Sequence, residues 1–208
     1  MSAPLAMLER GLAEIGLAPE PHQISQLLEL AGLVEAWSGR INLTGHRGLG
    51  AILERLVLGS AALLAQIPAV VSLADLGSGA GFPGLPAAIL WPASRVSLVE
   101  SREKRHHFQR AACRALQLAN ATPVRGRAEE LPAEAHSAVV AQAVAKPLEA
   151  LALAARWAEP GGLVLIPGGE EPPALPELAA GVRAERVLSY REPCAGPRRT
   201  LWIGRRVR

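Results

Sequence analysis

The spacing of apolar residues divides the chain into a helical first third and an alternating remainder. Residues 1–66 carry helical periodicity. Pro21 suits the first turn of a helix in which Ile24, Leu27, Leu28, Ala31 and Val34 share one face. Trp37 ends that helix, and Ser38-Gly39 breaks it. Asn42-Leu43-Thr44-Gly45 then reads as a polar loop. A second amphipathic helix follows, with Ile52, Leu53, Leu56, Val57 and Leu63 inward, and Pro68 stops it.

From about residue 70 the period changes. Val70–Asp75 is a short apolar run ending in a glycine loop, as a buried parallel strand would be. The spacing predicts a short helix over Leu85–Leu90, a strand over Arg95–Glu100 and a helix over Glu103–Leu118. Phe108, Ala111, Ala112, Ala115 and Leu118 form the inward face of that helix. Further strands are expected at Ala121–Arg125, Ala138–Ala143 and Leu163–Ile166, with a helix over Pro147–Trp157. This alternation implies a doubly wound α/β sheet with helices on both faces. Residues 167–176, rich in Pro, Gly and Glu, are expected to form a surface loop. Ala184–Tyr190 and Thr200–Arg205 look like strands joined by Glu192–Pro197, too short for a crossover helix, so an antiparallel hairpin closes the chain. Two regions are expected: a helical extension over residues 1–66, packed on a ligand-binding core over residues 67–208.

Composition narrows this picture. No apolar run is long enough to cross a bilayer, and Glu9, Arg10 and Glu14 interrupt the N-terminus, so neither a membrane span nor a secretory signal is expected and the cytoplasm is the expected location. Cys113 and Cys194 match no zinc or redox spacing, and Cys113 suits a buried free thiol. His106 and His107 are adjacent and point apart on a helix, so no metal site is expected. The net charge of +3 permits a nucleic-acid partner without demanding one. Lys104 and Lys146 are the only lysines, and arginine suits bidentate phosphate contacts, although a coding bias would give the same excess.

The glycine loop, Leu73-Ala-Asp-Leu-Gly-Ser-Gly-Ala-Gly-Phe-Pro-Gly84, carries the chemistry. It follows a strand and precedes a helix, so a ligand would sit at the carboxyl end of the first strand. Gly77, Gly79 and Gly81 let the backbone turn and approach that ligand closely. Glu100, ending the second strand, can accept hydrogen bonds from both hydroxyls of a ribose. The dinucleotide fingerprint GxGxxG would need glycine at position 82, which is Phe82. The pattern is instead DxGxGxG from Asp75, which resembles the first motif of S-adenosylmethionine methyltransferases. A carboxylate at Asp75 would repel a pyrophosphate and suit a cofactor bearing a sulfonium and an ammonium.

Further stretches narrow the resemblance. Gly81-Phe82-Pro83-Gly84-Leu85-Pro86, Trp37 with Ile41-Asn42-Leu43-Thr44, Val99-Glu100-Ser101 followed by Lys104-Arg105 and Phe108, and Gly126-Arg127-Ala128-Glu129-Glu130 occur in the order of the RsmG (GidB) family. That family methylates N7 of one guanine in bacterial 16S ribosomal RNA. The resemblance runs from about residue 30 to 160. It implies a class I methyltransferase fold, S-adenosylmethionine as cofactor, and 16S RNA or the small ribosomal subunit as partner; a monomer is expected, but no sequence feature fixes the oligomeric state. It also implies cofactor contacts from Asp75, Gly77, Gly79, Gly81, Phe82, Glu100, Ser101, Ala128, Glu129 and Gln142. Asn42 and Thr44 would lie on the reaction side, though they equally suit a turn. Arg40, Arg47, Arg55, Arg125 and Lys146 are candidate RNA contacts. Lys104, Arg105 and Arg110 also fit a solvated helix face.

The chain departs from the family's pattern at four places. Where the family carries Arg-His, two apolar residues and Asp-Ser, this chain has Arg55-Leu56-Val57-Leu58-Gly59-Ser60. Gln142 replaces an arginine after the fourth strand, and Pro167 replaces a lysine at the end of the fifth. Two readings remain open: a 16S guanine-N7 methyltransferase, or a divergent member that binds the cofactor and methylates another substrate or none. A small-molecule or protein methyltransferase fits less of the chain, and a nicotinamide oxidoreductase is disfavoured by Phe82 and the hairpin.

Overall fold

A computed structural model describes residues 2–142 and 145–207. It contains one eight-stranded sheet in the order β3-β2-β1-β4-β5-β8-β7-β6. The strands are β1 (Ser72–Leu76), β2 (Arg95–Glu100), β3 (Ala121–Arg125), β4 (His136–Ala141), β5 (Ala158–Gly168), β6 (Leu178–Ala179), β7 (Val182–Arg191) and β8 (Arg198–Arg206). The first five run parallel, and β8 enters antiparallel between β5 and β7. The strand order reverses at β1, where β2 lies on one side and β4 on the other. Ala143, the expected end of the fourth strand, lies outside the described residues.

Successive side chains of a strand point to opposite faces, and the apolar residues divide accordingly. Leu73, Leu98, Val140 and Leu165 belong to one core, under α5 (Gly84–Leu90), α6 (Glu103–Ala115) and the N-terminal helices. Ala74, Val99, Val139 and Val164 belong to the other, covered by α7 (Pro147–Trp157).

The N-terminal helices α1 (Ala3–Glu14) and α2 (Pro21–Ser38) share the first core through Leu8, Leu12, Leu27, Leu30 and Val34. Pro21 occupies the first turn of α2, where a missing N–H costs nothing. Gln23 serves two elements: its Oε1 accepts the Glu20 amide at 2.9 Å, and its Nε2 donates to the Ile89 carbonyl. Trp37 packs edge-on against Phe108 of α6, with ring centroids 5.6 Å apart, so it is a core residue. The helix expected before Pro68 comprises α3 (Leu49–Ile52), a π-helical stretch over Leu53–Leu58, and α4 (Gly59–Leu64).

The structure corrects the expectations for the fifth strand and for the helix over Glu103–Leu118. Strand β5 begins at Ala158 and ends at Gly168, so Pro167 and Gly168 pair with Leu201 and Thr200 rather than starting a loop. A register shift between His136 and Ala138 of β4 accommodates the early part of β5. On α6, Ala115 is exposed and Leu116 is buried, because the helix ends at Ala115 and Gln117 takes a left-handed conformation (φ 55°).

Gly77, Gly79 and Gly81 all have positive φ (68°, 57° and 83°), a region other residues enter only with strain. Gly84 is required for a different reason: a Cβ there would collide with Leu98 of β2 and press on Asp75. The Asp75 carboxylate accepts the Gly84 amide at 2.8 Å and fixes the start of α5 to β1. Burial raises its pKa from 3.8 to about 7, the Gly84 hydrogen bond opposes that, and Glu100 adds to it. Between those two values the folded chain holds a proton that the unfolded chain has released, so this group makes stability fall as pH rises from about 4 to 7. Urea unfolding of wild type and Asp75→Asn across that range should give stability curves that diverge in favour of the variant as pH rises. Parallel curves would contradict the assignment.

Candidate active site

Two concavities meet the carboxyl ends of the parallel strands. The larger is a cleft of about 430 Å³ between the β1 loop, the ends of β2 and β3, and α7. Gly77 borders it on one side. Glu100, Ser101 and Arg105 come from the end of β2 and from α6. Gly126, Ala128 and Glu129 come from the segment after β3, and Glu149 and Leu153 from α7.

Glu100 organises this cleft although it is only 4% exposed. Its Oε2 accepts the Gly79 amide at 2.9 Å, and its Oε1 accepts the Arg102 amide at 2.7 Å. Arg105 Nη1 stands 4.0 Å from Oε2. An ionised carboxylate offers about four acceptor positions, so two backbone amides leave capacity for a ligand's hydroxyls. The loop is pinned from behind by Gln109 of α6, whose Nε2 donates to Ser78 Oγ (2.8 Å) and to the Gly79 carbonyl (2.9 Å). The Ser78 amide in turn donates to the Val99 carbonyl at 3.0 Å.

Opposite Glu100, buried Ala128 presents only a methyl group, and its carbonyl accepts the Trp157 indole N–H at 3.1 Å. Glu129 is exposed and stands 3.5 Å from Arg127. Gly126 has φ 155°, and a Cβ there would meet the Leu131 side chain.

The second cavity, about 210 Å³, lies between the π-helical stretch, the β1 loop and the terminal hairpin. The π-helical stretch and the start of α4 contribute Arg55, Leu56 and Gly59, as single π turns often do at functional sites. Phe82 borders it from the glycine loop, Gln142 from just past β4 and Pro167 from β5, and Tyr190, Glu192 and Arg199 from β7, β8 and their connection. All four positions at which the chain departs from the family pattern therefore meet in one place. Burial, and then the Glu192 charge, pushes the Tyr190 phenol up to about 12, with Arg199 acting the other way, so it remains a neutral donor.

The expected site residues divide between these two places. Gly77, Glu100, Ser101, Ala128 and Glu129 border the cleft, while Phe82 and Gln142 border the second cavity. Gly79 and Gly81 shape the loop without bordering either. Asp75 also borders neither: it is buried, turned to Gly84, and half protonated near neutral pH, so the sulfonium argument has no support in its position. Asn42 is exposed, and Thr44 accepts the His46 amide at 3.2 Å in a turn; His46, and not these two, borders the second cavity. Arg55 faces that cavity, whereas Arg125 sits on β3 with Glu103 at 3.3 Å. Arg40, Arg47 and Lys146 are exposed.

Gln109, Tyr190, Glu192 and Arg199 were missed by the sequence reading. Gln109 left a faint signal, a glutamine on the inward side of a helix beside Phe108 and Ala112.

A parallel sheet reversing at β1, closed by an antiparallel hairpin and carrying a clamped glycine loop, defines a class I methyltransferase fold. A methyltransferase from Aquifex aeolicus shares this fold, with a TM-score of 0.58 over 74% of this chain and 93% of that one at 18% identity. So does a putative methyltransferase from Escherichia coli, with a TM-score of 0.56 over 73% and 86% at 17% identity. The model of the family GidB, described as rRNA small subunit methyltransferase G, matches residues 23–189. Relatives named ribosomal RNA small subunit methyltransferase G include one from Aromatoleum aromaticum, 36% identical over 95% of this chain and 97% of its own length. Another, from Stenotrophomonas maltophilia, is 37% identical over 95% and 93%. The chain belongs to the GidB family of small-subunit rRNA methyltransferases, enzymes that use S-adenosylmethionine.

Glu100→Ala should weaken binding of S-adenosylhomocysteine by about tenfold or more, since charged hydrogen bonds and the loop clamp go together. Titration calorimetry would read this directly. Affinity within twofold of wild type would contradict the role given to Glu100.

Proposed function

We propose that the chain transfers a methyl group from S-adenosylmethionine to N7 of a guanine in 16S ribosomal RNA. The observation that carries the reading is the pairing of a clamped cofactor cleft with an arginine-flanked cavity beside it, in a member of this family. The cleft residues fit the cofactor. Glu100 has free acceptor capacity for ribose hydroxyls, Gly77 and Ala128 leave room for close approach, and Ser101 and Glu129 add polar groups at the rim. When bound, the cofactor supplies an electrophilic methyl group on a sulfonium.

The protein's part is positioning. N7 of guanine carries a free lone pair and no proton, so no side chain has to act as a base. The chain has only to hold the base, aligned and shielded, and that suits a site lined by Phe82, Gln142 and Pro167. Charge on the ring rises as the methyl group arrives, which favours a nearby carboxylate. Because N7 lies on the Hoogsteen edge, the target base must be exposed or extruded from its stack. Arg40, Arg47, Arg55 and Lys146 are proposed to contact phosphates around it, with Arg125 a weaker candidate because of Glu103. Asn42 and Thr44 are proposed to act by shaping the turn that carries His46. The reading also implies a monomer working in the cytoplasm; among the described residues no helix is long and apolar enough to cross a membrane.

A divergent member acting on another substrate is favoured by one observation: Leu56, Gly59, Gln142 and Pro167 stand together where the family pattern has charged or titratable groups. Incubating the purified chain with methyl-labelled cofactor and small subunits from cells lacking the modification separates the two readings. The proposal expects label in 7-methylguanosine of 16S RNA, at a rate that falls as salt rises. Cofactor binding without RNA label would overturn it.

A further inference from the structure

Glu192 lies in the connection between β7 and β8, far in sequence from the glycine loop, yet it reaches the second cavity. Its residue exposure is 7%, so its carboxylate is withdrawn from water. Arg199 Nε donates to Oε1 at 2.7 Å. The other oxygen, Oε2, is buried and has no hydrogen-bond partner among the described residues. Arg55 Nη1 stands 3.9 Å from it, beyond hydrogen-bond reach. A buried acceptor without a donor is costly and uncommon, which marks Oε2 as a position built for a donor that arrives with a ligand.

The surroundings keep that oxygen available. Gly59 faces the carboxylate without a side chain: a Cβ there would stand 3.7 Å from Glu192 Oε2. Arg55 and Arg199 offset the negative charge while remaining partly exposed, with side-chain exposures of 38% and 39%.

We propose that Glu192 is the specificity-determining residue for the target base, its carboxylate accepting hydrogen bonds from N1–H and the exocyclic N2 amino group of guanine. This rests on the guanine-N7 reading above. Those two donors form the edge of guanine opposite N7, so a carboxylate gripping them leaves N7 directed away, toward the cofactor side. Adenine offers an unprotonated ring nitrogen at the same position and is repelled. Discrimination follows because a wrong base leaves Oε2 buried and unpaired.

The test compares wild type and Glu192→Gln on 16S RNA ligated to carry either guanosine or inosine at the target position. Inosine keeps N1–H and N7 and lacks the N2 amino group. Wild type is expected to lose on the order of tenfold in kcat/KM on inosine RNA. Glu192→Gln is expected to be slower on guanosine RNA, to lose little further on inosine RNA, and to bind S-adenosylhomocysteine like wild type. Equal wild-type rates on the two RNAs overturn the proposal without any variant being needed. Equal fractional losses by the variant on both RNAs also overturn it, because Glu192 would then act only by holding Arg199. A wild-type chain that labels no guanine at all is a different failure: it overturns the guanine-N7 reading, and this inference with it.

Discussion

The contact on which the architecture turns is the Glu100 carboxylate taking the amides of Gly79 and Arg102. It ties the loop after β1 to the end of β2 and to the entrance of α6, beside the hydrogen bond from the Ser78 amide to the Val99 carbonyl. Three glycines at positive φ give the loop its path, and Gln109 holds it from the helix side. Asp75 performs a related task below, joining β1 to α5 through Gly84. The two acidic residues thus have different environments. Glu100 is held by amides at the border of a cleft, whereas Asp75 is buried without access to it. Only the first is placed to meet a ligand.

The second cavity is assembled from distant parts of the chain. The π-helical stretch brings Arg55 and Leu56 to its border, the glycine loop brings Phe82, and the hairpin brings Tyr190, Glu192 and Arg199. Charged groups from the hairpin therefore occupy a cavity whose helical and sheet walls are largely uncharged at Leu56, Gly59, Gln142 and Pro167. An antiparallel strand inserted beside β5 makes this possible, because β8 carries Arg199 back alongside the carboxyl end of the parallel sheet.

Local signals were strong wherever apolar periodicity met glycine or proline. The parallel strands, the hairpin, the loop and Glu100 all followed from short-range pattern. The direction of Asp75 did not, because a sequence places a carboxylate near a loop without saying which amide will take it. The extent of β5 depended on pairing with β8 and on a register shift in β4, both long-range features. Ala115 fell on the expected helical face, but the helix ends at that residue, and Leu116 and Leu118 on either side of left-handed Gln117 are buried instead. Glu192 and Arg199 sat in and beside what read only as a short hairpin connection, and the folded sheet carries them to the second cavity.

A crystal structure with S-adenosylhomocysteine bound would test the central claim most directly. The account predicts ribose hydroxyls on the Glu100 carboxylate, the adenine beside Ala128, and the sulfur facing the cavity bordered by Phe82 and Gln142. A ribose that makes no contact with Glu100, or a sulfur directed away from that cavity, would contradict it.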